Sequence, residues 1–99
     1  MQSLEIENIL NENKSSLLIY GVEKIRLFGS YFKGSMNENS DIDFIVEFQK
    51  GKKSYKNFIH LNYYLEDLFK KKIDLLTPES LSKYFGDKII SESKYVFNA

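Results

Sequence analysis

The stretch Gly29-Ser-Tyr-Phe-Lys-Gly34-Ser-Met-Asn-Glu-Asn-Ser40-Asp-Ile-Asp43 decides the fold of this chain. It follows an apolar segment, residues 22–28, which is predicted to be a strand running into a turn. Glycine in such a turn lets the backbone approach a phosphate without a Cβ in the way. Exposed amides at a turn or a helix N-terminus bind anions, and the hydroxyl of Ser30 adds a donor. The start of the stretch therefore predicts a phosphate-binding turn at Gly29 and Ser30.

The end of the stretch carries two aspartates, Asp41 and Asp43, on the clearest strand pattern of the chain. Residues 41–48 have a period of two, so Ile42, Phe44, Val46 and Phe48 share one face and the two aspartates share the other. Two carboxylates at this spacing can converge on a hard cation, and magnesium is often bound by one or two carboxylates together with substrate phosphate. An Asp-x-Asp pair alone is common by chance, but its place after a glycine-serine turn indicates a site for a nucleotide and its metal.

The segments around this stretch alternate between helical and strand patterns. Ser3 is expected to cap a helix that runs towards Gly21, and Ser54 to cap a long helix with one apolar stripe. Residues 73–76 form a short strand candidate. The order predicts an α+β fold, a small mixed β-sheet flanked by helices, and a single domain spanning residues 1–99.

The C-terminal quarter contains a predicted helix and a short apolar segment. Thr77-Pro78-Glu79 predicts a helix start, with a capping hydroxyl, proline at the first helical position and an acid in the first turn. Its apolar face would consist of Leu81, Tyr84, Phe85 and Ile89. Residues 95–97 are compatible with a last short strand or with a docked tail, and the sequence leaves both open.

The composition restricts the class of protein. A chain of 99 residues is long enough for one modest core. It has no cysteine, which excludes disulfides and thiolate metal sites. No apolar run approaches the roughly 20 residues needed to cross a bilayer, and the N-terminus lacks the pattern of a secretion signal. We therefore expect a cytoplasmic protein without a membrane association.

The charges are balanced, with 14 basic and 14 acidic residues. A protein that grips nucleic acid usually carries a basic excess or stripe, so direct nucleic-acid binding is not expected. The lysine clusters at residues 50–53 and 70–72 are interpreted as solvated surface beside loops. Arg26 is the only arginine. A nucleotide would therefore be held by backbone amides, hydroxyls, lysines and metal.

The joint pattern resembles the nucleotidyltransferase superfamily that includes DNA polymerase beta and the aminoglycoside nucleotidyltransferases. It is more similar to the minimal nucleotidyltransferases, or MNT family, whose pattern Gly-Ser-Tyr-Ala-Arg-Gly … Ser-Asp-Ile-Asp-Leu-Leu-Val matches residues 29–46. The likeness continues through residues 72–78 and so covers nearly the whole chain. Two positions depart from the pattern, because Phe32 stands where a small residue is usual and Lys33 where arginine is usual.

The resemblance implies roles for seven residues. It implies a catalytic and metal-binding set, Asp41, Asp43 and Asp74. It also implies nucleotide-binding positions at Gly29, Ser30, Lys33 and Ser40, of which Ser40 is expected mainly to brace its loop. The implied cofactor is Mg²⁺ and the implied nucleoside triphosphate is ATP. From spacing alone, Asp74 is only an acid that points away from its two apolar neighbours on a short strand.

The resemblance also implies a function. Minimal nucleotidyltransferases are commonly paired with HEPN-domain toxins, and this chain is expected to be the antitoxin that transfers AMP from ATP to a tyrosine of the toxin. Two alternatives stay open. One is an antitoxin that neutralises the toxin by binding alone, and the other is a nucleotidyltransferase acting on RNA or a small molecule.

Overall fold

A computed structural model of the chain describes residues 1–81 and 86–99 and contains one four-stranded sheet. Its strands are β1 (Val22–Phe28), β2 (Ile42–Phe48), β3 (Ile73–Leu76) and β4 (Lys94–Asn98). They lie in the order β3-β2-β1-β4. β1 pairs antiparallel with β2 and with β4, whereas β2 and β3 run parallel. The sheet is mixed, and the predicted α+β class is confirmed.

The helices surround this sheet. They are α1 (Ser3–Glu12), α2 (Lys14–Ile19), α3 (Gly29–Lys33), α4 (Tyr55–Phe69) and α5 (Gly86–Ser91), with a 3₁₀ turn at Pro78–Ser80. The longest, α4, is the crossover that a parallel pair of strands requires. It begins as predicted, because the Oγ of Ser54 accepts a hydrogen bond of 3.0 Å from the amide of Asn57. Within the two described ranges, no helix combines the length and the apolar character needed to cross a membrane.

One hydrophobic core joins the sheet to the helices. Alternate side chains of β1 and β2 pack with residues of α1 and α4, and all of these are fully buried: Ile6, Leu10, Ile25, Leu27, Phe44, Val46, Leu61 and Leu65. The rings of Phe44 and Phe69 lie 5.9 Å apart and tilted by 50°, an arrangement that aromatic pairs favour. Because one face of β2 is filled in this way, the alternate residue Asp43 points to the opposite face.

The first helix is shorter than the sequence indicates. It begins at Ser3 with Gln2 as its N-cap residue, so the predicted cap is one residue late. It ends before Asn13, whose side-chain Nδ2 donates a bond of 2.8 Å to the carbonyl oxygen of Ile9. This side chain also accepts a bond of 3.1 Å from the hydroxyl of Tyr64. A short polar side chain that binds the backbone competes with the helix, and the apolar stretch that follows forms a separate helix.

The helix predicted at Thr77 is wrong in extent. Only a 3₁₀ turn forms, and Leu81 is already extended with φ −74° and ψ 137°. The predicted start is present, because the hydroxyl of Ser80 accepts from the amide of Thr77 at 3.2 Å and donates to its carbonyl at 2.8 Å, as part of a capping box with the Thr77 side chain. Ile89 belongs to α5, whereas Tyr84 and Phe85 lie outside the described residues. Residues 95–97, left open by the sequence, are part of β4.

Candidate active site

Two of the predicted acids meet through the pairing of β2 and β3. In the parallel register Asp43 lies opposite Asp74, and the neighbouring pairs are Ile42 with Ile73 and Phe44 with Leu75. The four apolar residues are buried, so both carboxylates point to the other face of the sheet. Asp43 is half-buried and Asp74 is exposed. The register thus places side by side two acids that are separated in sequence by the whole of α4.

The third acid, Asp41, precedes β2 rather than lying on it, so the predicted strand starts one residue early. One oxygen of its carboxylate lies 3.9 Å from the Nζ of Lys72. The backbone holds the two residues together as well, because the amide of Ile42 donates a bond of 3.1 Å to the carbonyl of Lys72. Asp41 therefore flanks the Asp43–Asp74 pair on the side where the two strands begin.

The pKa of Asp43 rises from 3.8 to about 6. Burial is the main cause, because removing the carboxylate from water disfavours its charged form. Asp74 adds to the rise through a hydrogen bond to the protonated form of Asp43 and through its negative charge. The charge of Asp41 contributes last. The three acids thus form a crowded anionic site that disfavours the charged form of Asp43.

Gly29 connects the predicted phosphate turn to the acids. It begins α3 with a φ of +71°, in the left-handed region that favours glycine. A Cβ at this position would overlap the carboxylate of Asp43 and lie 2.9 Å from its Cγ. The carboxylate therefore occupies the space that any other side chain would need. Glycine is required here by the backbone conformation and by this contact together.

The turn that starts at Gly29 lies next to Asp43 and has amides without an intrahelical acceptor. In the first turn of any helix the amides have no intrahelical acceptor, which applies to Gly29, Ser30 and Tyr31 in α3. Ser30 is half-buried, and the ring of Tyr31 packs into the core. α3 ends at Gly34, which has a φ of +76° and whose amide donates to the carbonyl of Ser30. The predicted order of turn, short helix and second glycine is present in the structure.

The other two predicted nucleotide-binding residues have partners of their own. The Nζ of Lys33 lies 3.4 Å from a carboxylate oxygen of Glu92, beyond α5. The Oγ of Ser40 accepts a bond of 2.9 Å from the amide of Asn37 and braces the loop before Asp41. Gly29 therefore lies beside Asp43 with Ser30 next to it in the chain, Lys33 is directed to Glu92, and Ser40 supports the loop. The nucleotide-binding roles of all four stay predictions.

Two lysines near the site were not identified from the sequence. The Nζ of Lys71 donates a bond of 3.0 Å to the carbonyl of Glu38, and Lys72 contacts Asp41 as described above. From the sequence, both are expected to be solvated surface residues. The available signal was positional, because Lys72 directly precedes β3 as Asp41 directly precedes β2.

The electrostatics of the site fit a divalent cation, because three carboxylates lie near one another at the start of β2 and β3. In the described parts of the chain, no three His, Cys, Asp or Glu side chains already converge on one metal position. Asp41 is turned towards Lys72, while Asp43 and Asp74 face each other. Crowded carboxylates on one face are the oxygen donors that magnesium prefers, and its charge would relieve their repulsion. The assignment of all three acids to the metal stays a prediction.

Known proteins share both the sequence and the fold of this chain. Residues 5–99 match the family described as Polymerase beta, Nucleotidyltransferase. Protein adenylyltransferase MntA of Thermococcus cleftensis is 39% identical over 93 residues, which cover 93% of this chain and 93% of that protein. A toxin-antitoxin structure with AMP-PNP superimposes with a TM-score of 0.70 at 24% identity, covering 100% of this chain and 75% of that one.

A second solved structure, a tri-AMPylated Shewanella oneidensis HEPN toxin in complex with MNT antitoxin, gives a TM-score of 0.60 at 22% identity. It covers 98% of this chain and 70% of that chain. Together with the family match, the fold and the site define a nucleotidyltransferase. The chain belongs to the polymerase beta nucleotidyltransferase family, in the group of protein adenylyltransferases that includes the Thermococcus protein.

Proposed function

We propose that this chain uses Mg²⁺ to transfer AMP from ATP to a tyrosine hydroxyl of a HEPN-domain toxin and neutralises the toxin in this way. One observation carries the proposal. Asp43 lies between Gly29 and Asp74, so the residues to which the proposal assigns phosphate, metal and the attacking hydroxyl are next to one another. Nucleotidyl transfer needs these three groups next to one another.

Each residue has a separate task in the proposed reaction. The amides of Gly29 and Ser30, with the Ser30 hydroxyl, hold the β- and γ-phosphates, since donors at a turn bind anions. Asp41 and Asp43 supply the metal-binding oxygens. Magnesium, when bound, neutralises phosphate charge and supports in-line displacement at the α-phosphorus.

Asp74 is suited to act on the attacking group, because it is exposed and lies beside Asp43. It accepts the proton of the tyrosine hydroxyl while the phenolic oxygen bonds to the α-phosphorus. The bond from the α-phosphorus to its bridging oxygen breaks, and pyrophosphate leaves. The products are an AMP-tyrosine phosphodiester and pyrophosphate.

The choice of acceptor rests on the relatives. The Thermococcus relative is named a protein adenylyltransferase, and the Shewanella complex contains an AMPylated HEPN toxin. The balanced charge of this chain also argues against a nucleic-acid acceptor. A protein hydroxyl is therefore the acceptor that the observations favour.

The test is to incubate the chain with ATP, Mg²⁺ and its HEPN partner and to measure the intact mass of the partner. We expect a mass gain of one or more AMP groups with the native chain and with Asp67→Asn, a control that removes an exposed acid of α4. Asp43→Ala should give no gain. If the native chain and Asp43→Ala are equally inert but protect cells equally well, the chain neutralises by binding alone.

A further inference from the structure

The cluster Lys70, Lys71 and Lys72 places three successive side chains in three different environments. The Nζ of Lys70, the residue that follows α4, lies 3.0 Å from Asp67 in the last turn of that helix. The Nζ of Lys71 donates a bond of 3.0 Å across to the carbonyl of Glu38, 33 positions away. The Nζ of Lys72 lies 3.9 Å from Asp41. The second and third lysines thus hold the loop that leads into the acids, whereas the first does not.

The contact between Lys72 and Asp41 follows from the backbone. The two residues immediately precede Ile73 and Ile42, which are paired in the parallel register, and the amide of Ile42 donates to the carbonyl of Lys72. The Lys72 side chain is 70% exposed and that of Asp41 is 37% exposed. The ammonium group therefore approaches Asp41 from solvent, the side from which a ligand must enter.

This pair cannot persist unchanged when the site is loaded. A carboxylate that binds a divalent cation is no longer available as the partner of an ammonium group, and the metal repels that group. The nearest new anion is the triphosphate that arrives with the metal. Lysine has a flexible four-carbon stem and a compact charge, which suit it to move from a carboxylate to a phosphate.

We propose that Lys72 is a nucleotide-binding residue that changes its ion-pair partner. In the free protein its ammonium group pairs with Asp41, and when Asp41 binds metal the ammonium group moves to the triphosphate. This role rests on the proposed function, because it assumes a metal-bound triphosphate at the acids. Lys71 is a positioning residue, which ties the 35–41 loop to the turn before β3 and so fixes Asp41.

The proposal predicts effects of opposite sign for one substitution. In Lys72→Met, Mn²⁺ alone should bind about threefold more tightly, because the competing ammonium group is gone. A non-hydrolysable ATP analogue with Mg²⁺ should bind about tenfold more weakly, because a charged contact to phosphate is lost. Damage to the loop alone would weaken both kinds of binding. Calorimetric titration of the native chain and the variant, without any toxin, measures both.

Matched variants come from the same cluster. Lys70→Met removes a neighbouring lysine that does not contact the loop, and both affinities should stay native. Lys71→Met should weaken both by about threefold through the loosened loop, and Lys71→Arg should restore them, because arginine retains a donor. The Tm of each variant checks that it is folded.

The outcomes distinguish a failure of the Lys72 role from a failure of the proposed function. If the native chain binds the analogue and Lys72→Met binds it equally well, the role of Lys72 is wrong while the proposed function stands. If Lys72→Met weakens Mn²⁺ and analogue binding together, Lys72 only positions Asp41, and the proposed movement of its ammonium group to the triphosphate is overturned. If the native chain binds no analogue, the proposed function and this role both fall.

Discussion

Asp43 and Asp74 lie directly opposite each other in the parallel pairing of β2 and β3, so two carboxyl groups share one position of the sheet surface. The pKa rise falls on Asp43, primarily because it is the more buried of the two. Asp74, exposed to solvent, is the better placed to receive a proton from an incoming group. The same strand pairing therefore joins a half-buried carboxyl with a raised pKa to a carboxyl that is exposed to solvent.

The first prediction concerns the stability of the metal-free protein. The pKa of Asp43 is about 6 in the fold against 3.8 as its ordinary value, so its charged form opposes folding. Above about pH 6 the full penalty applies, and below about pH 3.8 the group is protonated in both states and contributes nothing. Asp43→Asn should therefore raise the free energy of unfolding at neutral pH by about 1 kcal/mol, after allowance for solvent screening of a half-exposed group.

Thermal unfolding as a function of pH measures this effect. The gain of Asp43→Asn should shrink as the pH falls from about 6 to about 4 and then vanish. Mg²⁺ should stabilise the native chain and not the variant, because ligand binding to the folded state alone raises its stability. If Asp43→Asn is less stable than the native chain at neutral pH, the charged form of Asp43 does not oppose folding.

The second prediction concerns Asp74 and the titration of its neighbour. Asp74→Asn removes one negative charge beside Asp43, so the pKa of Asp43 should fall, yet stay above 3.8 because burial is the larger cause. The carboxyl carbon shifts of Asp43 in an NMR titration report this pKa. An unchanged pKa in Asp74→Asn would contradict the close approach of the two acids. Transfer of AMP should fall by about 10²-fold or more, as expected for loss of a general base.

The third prediction compares two glycines of one short helix. Gly29 and Gly34 have similar φ values, +71° and +76°, but a Cβ at Gly29 meets Asp43 and nothing lies within 4 Å of a Cβ at Gly34. Gly34→Ala should cost about 1 kcal/mol of stability through backbone strain and keep most of the activity. Gly29→Ala has the same strain and also displaces the Asp43 carboxylate, so AMP transfer should be lost.

Chemical denaturation and the AMP-transfer assay together separate these two effects. Equal losses of activity in Gly29→Ala and Gly34→Ala would show that the conformation of the helix, rather than the contact with Asp43, limits the reaction.

The fourth prediction tests the nucleotide-binding role of Lys33. In the free protein its ammonium group is paired with Glu92, and both side chains are substantially exposed. If Lys33 contacts phosphate, Glu92→Gln removes a competitor, and a non-hydrolysable ATP analogue should bind about two- to threefold more tightly. In the double variant with Lys33→Met, the effect of Glu92→Gln should disappear. An equal effect in both backgrounds would assign the change to general electrostatics.

The sequence predicts the parts of the site that follow from local rules. Alternation identified β2 with its two faces, the hydroxyl of Ser54 identified the start of α4, and glycine requirements identified Gly29. The resemblance of the joint pattern to known nucleotidyltransferases supplied Asp74, which spacing alone could not distinguish from any exposed strand residue. The sequence alone therefore indicates the family and the fold class.

The parts that the sequence missed depend on residues far apart in the chain. Lys71 is a positioning candidate only because Glu38 of another loop lies beside it. The turn after Thr77 begins with the predicted cap, because Thr77 and Ser80 form a capping box, yet Leu81 is already extended. Helix-start signals report where a helix begins and not how far it continues. Periodicity gave the faces of the strands but not their register, which is set by the packing of the whole core.

That register has a consequence for how the protein folds. If β3 slipped by one residue along β2, Asp74 would turn into the apolar core and Ile73 or Leu75 would come to stand beside Asp43. Such a misaligned chain would lose core burial and its acid pair in the same step. AMP transfer is then a measure of the β2–β3 alignment, so a refolding experiment followed by this activity counts only molecules in which these two strands are correctly paired.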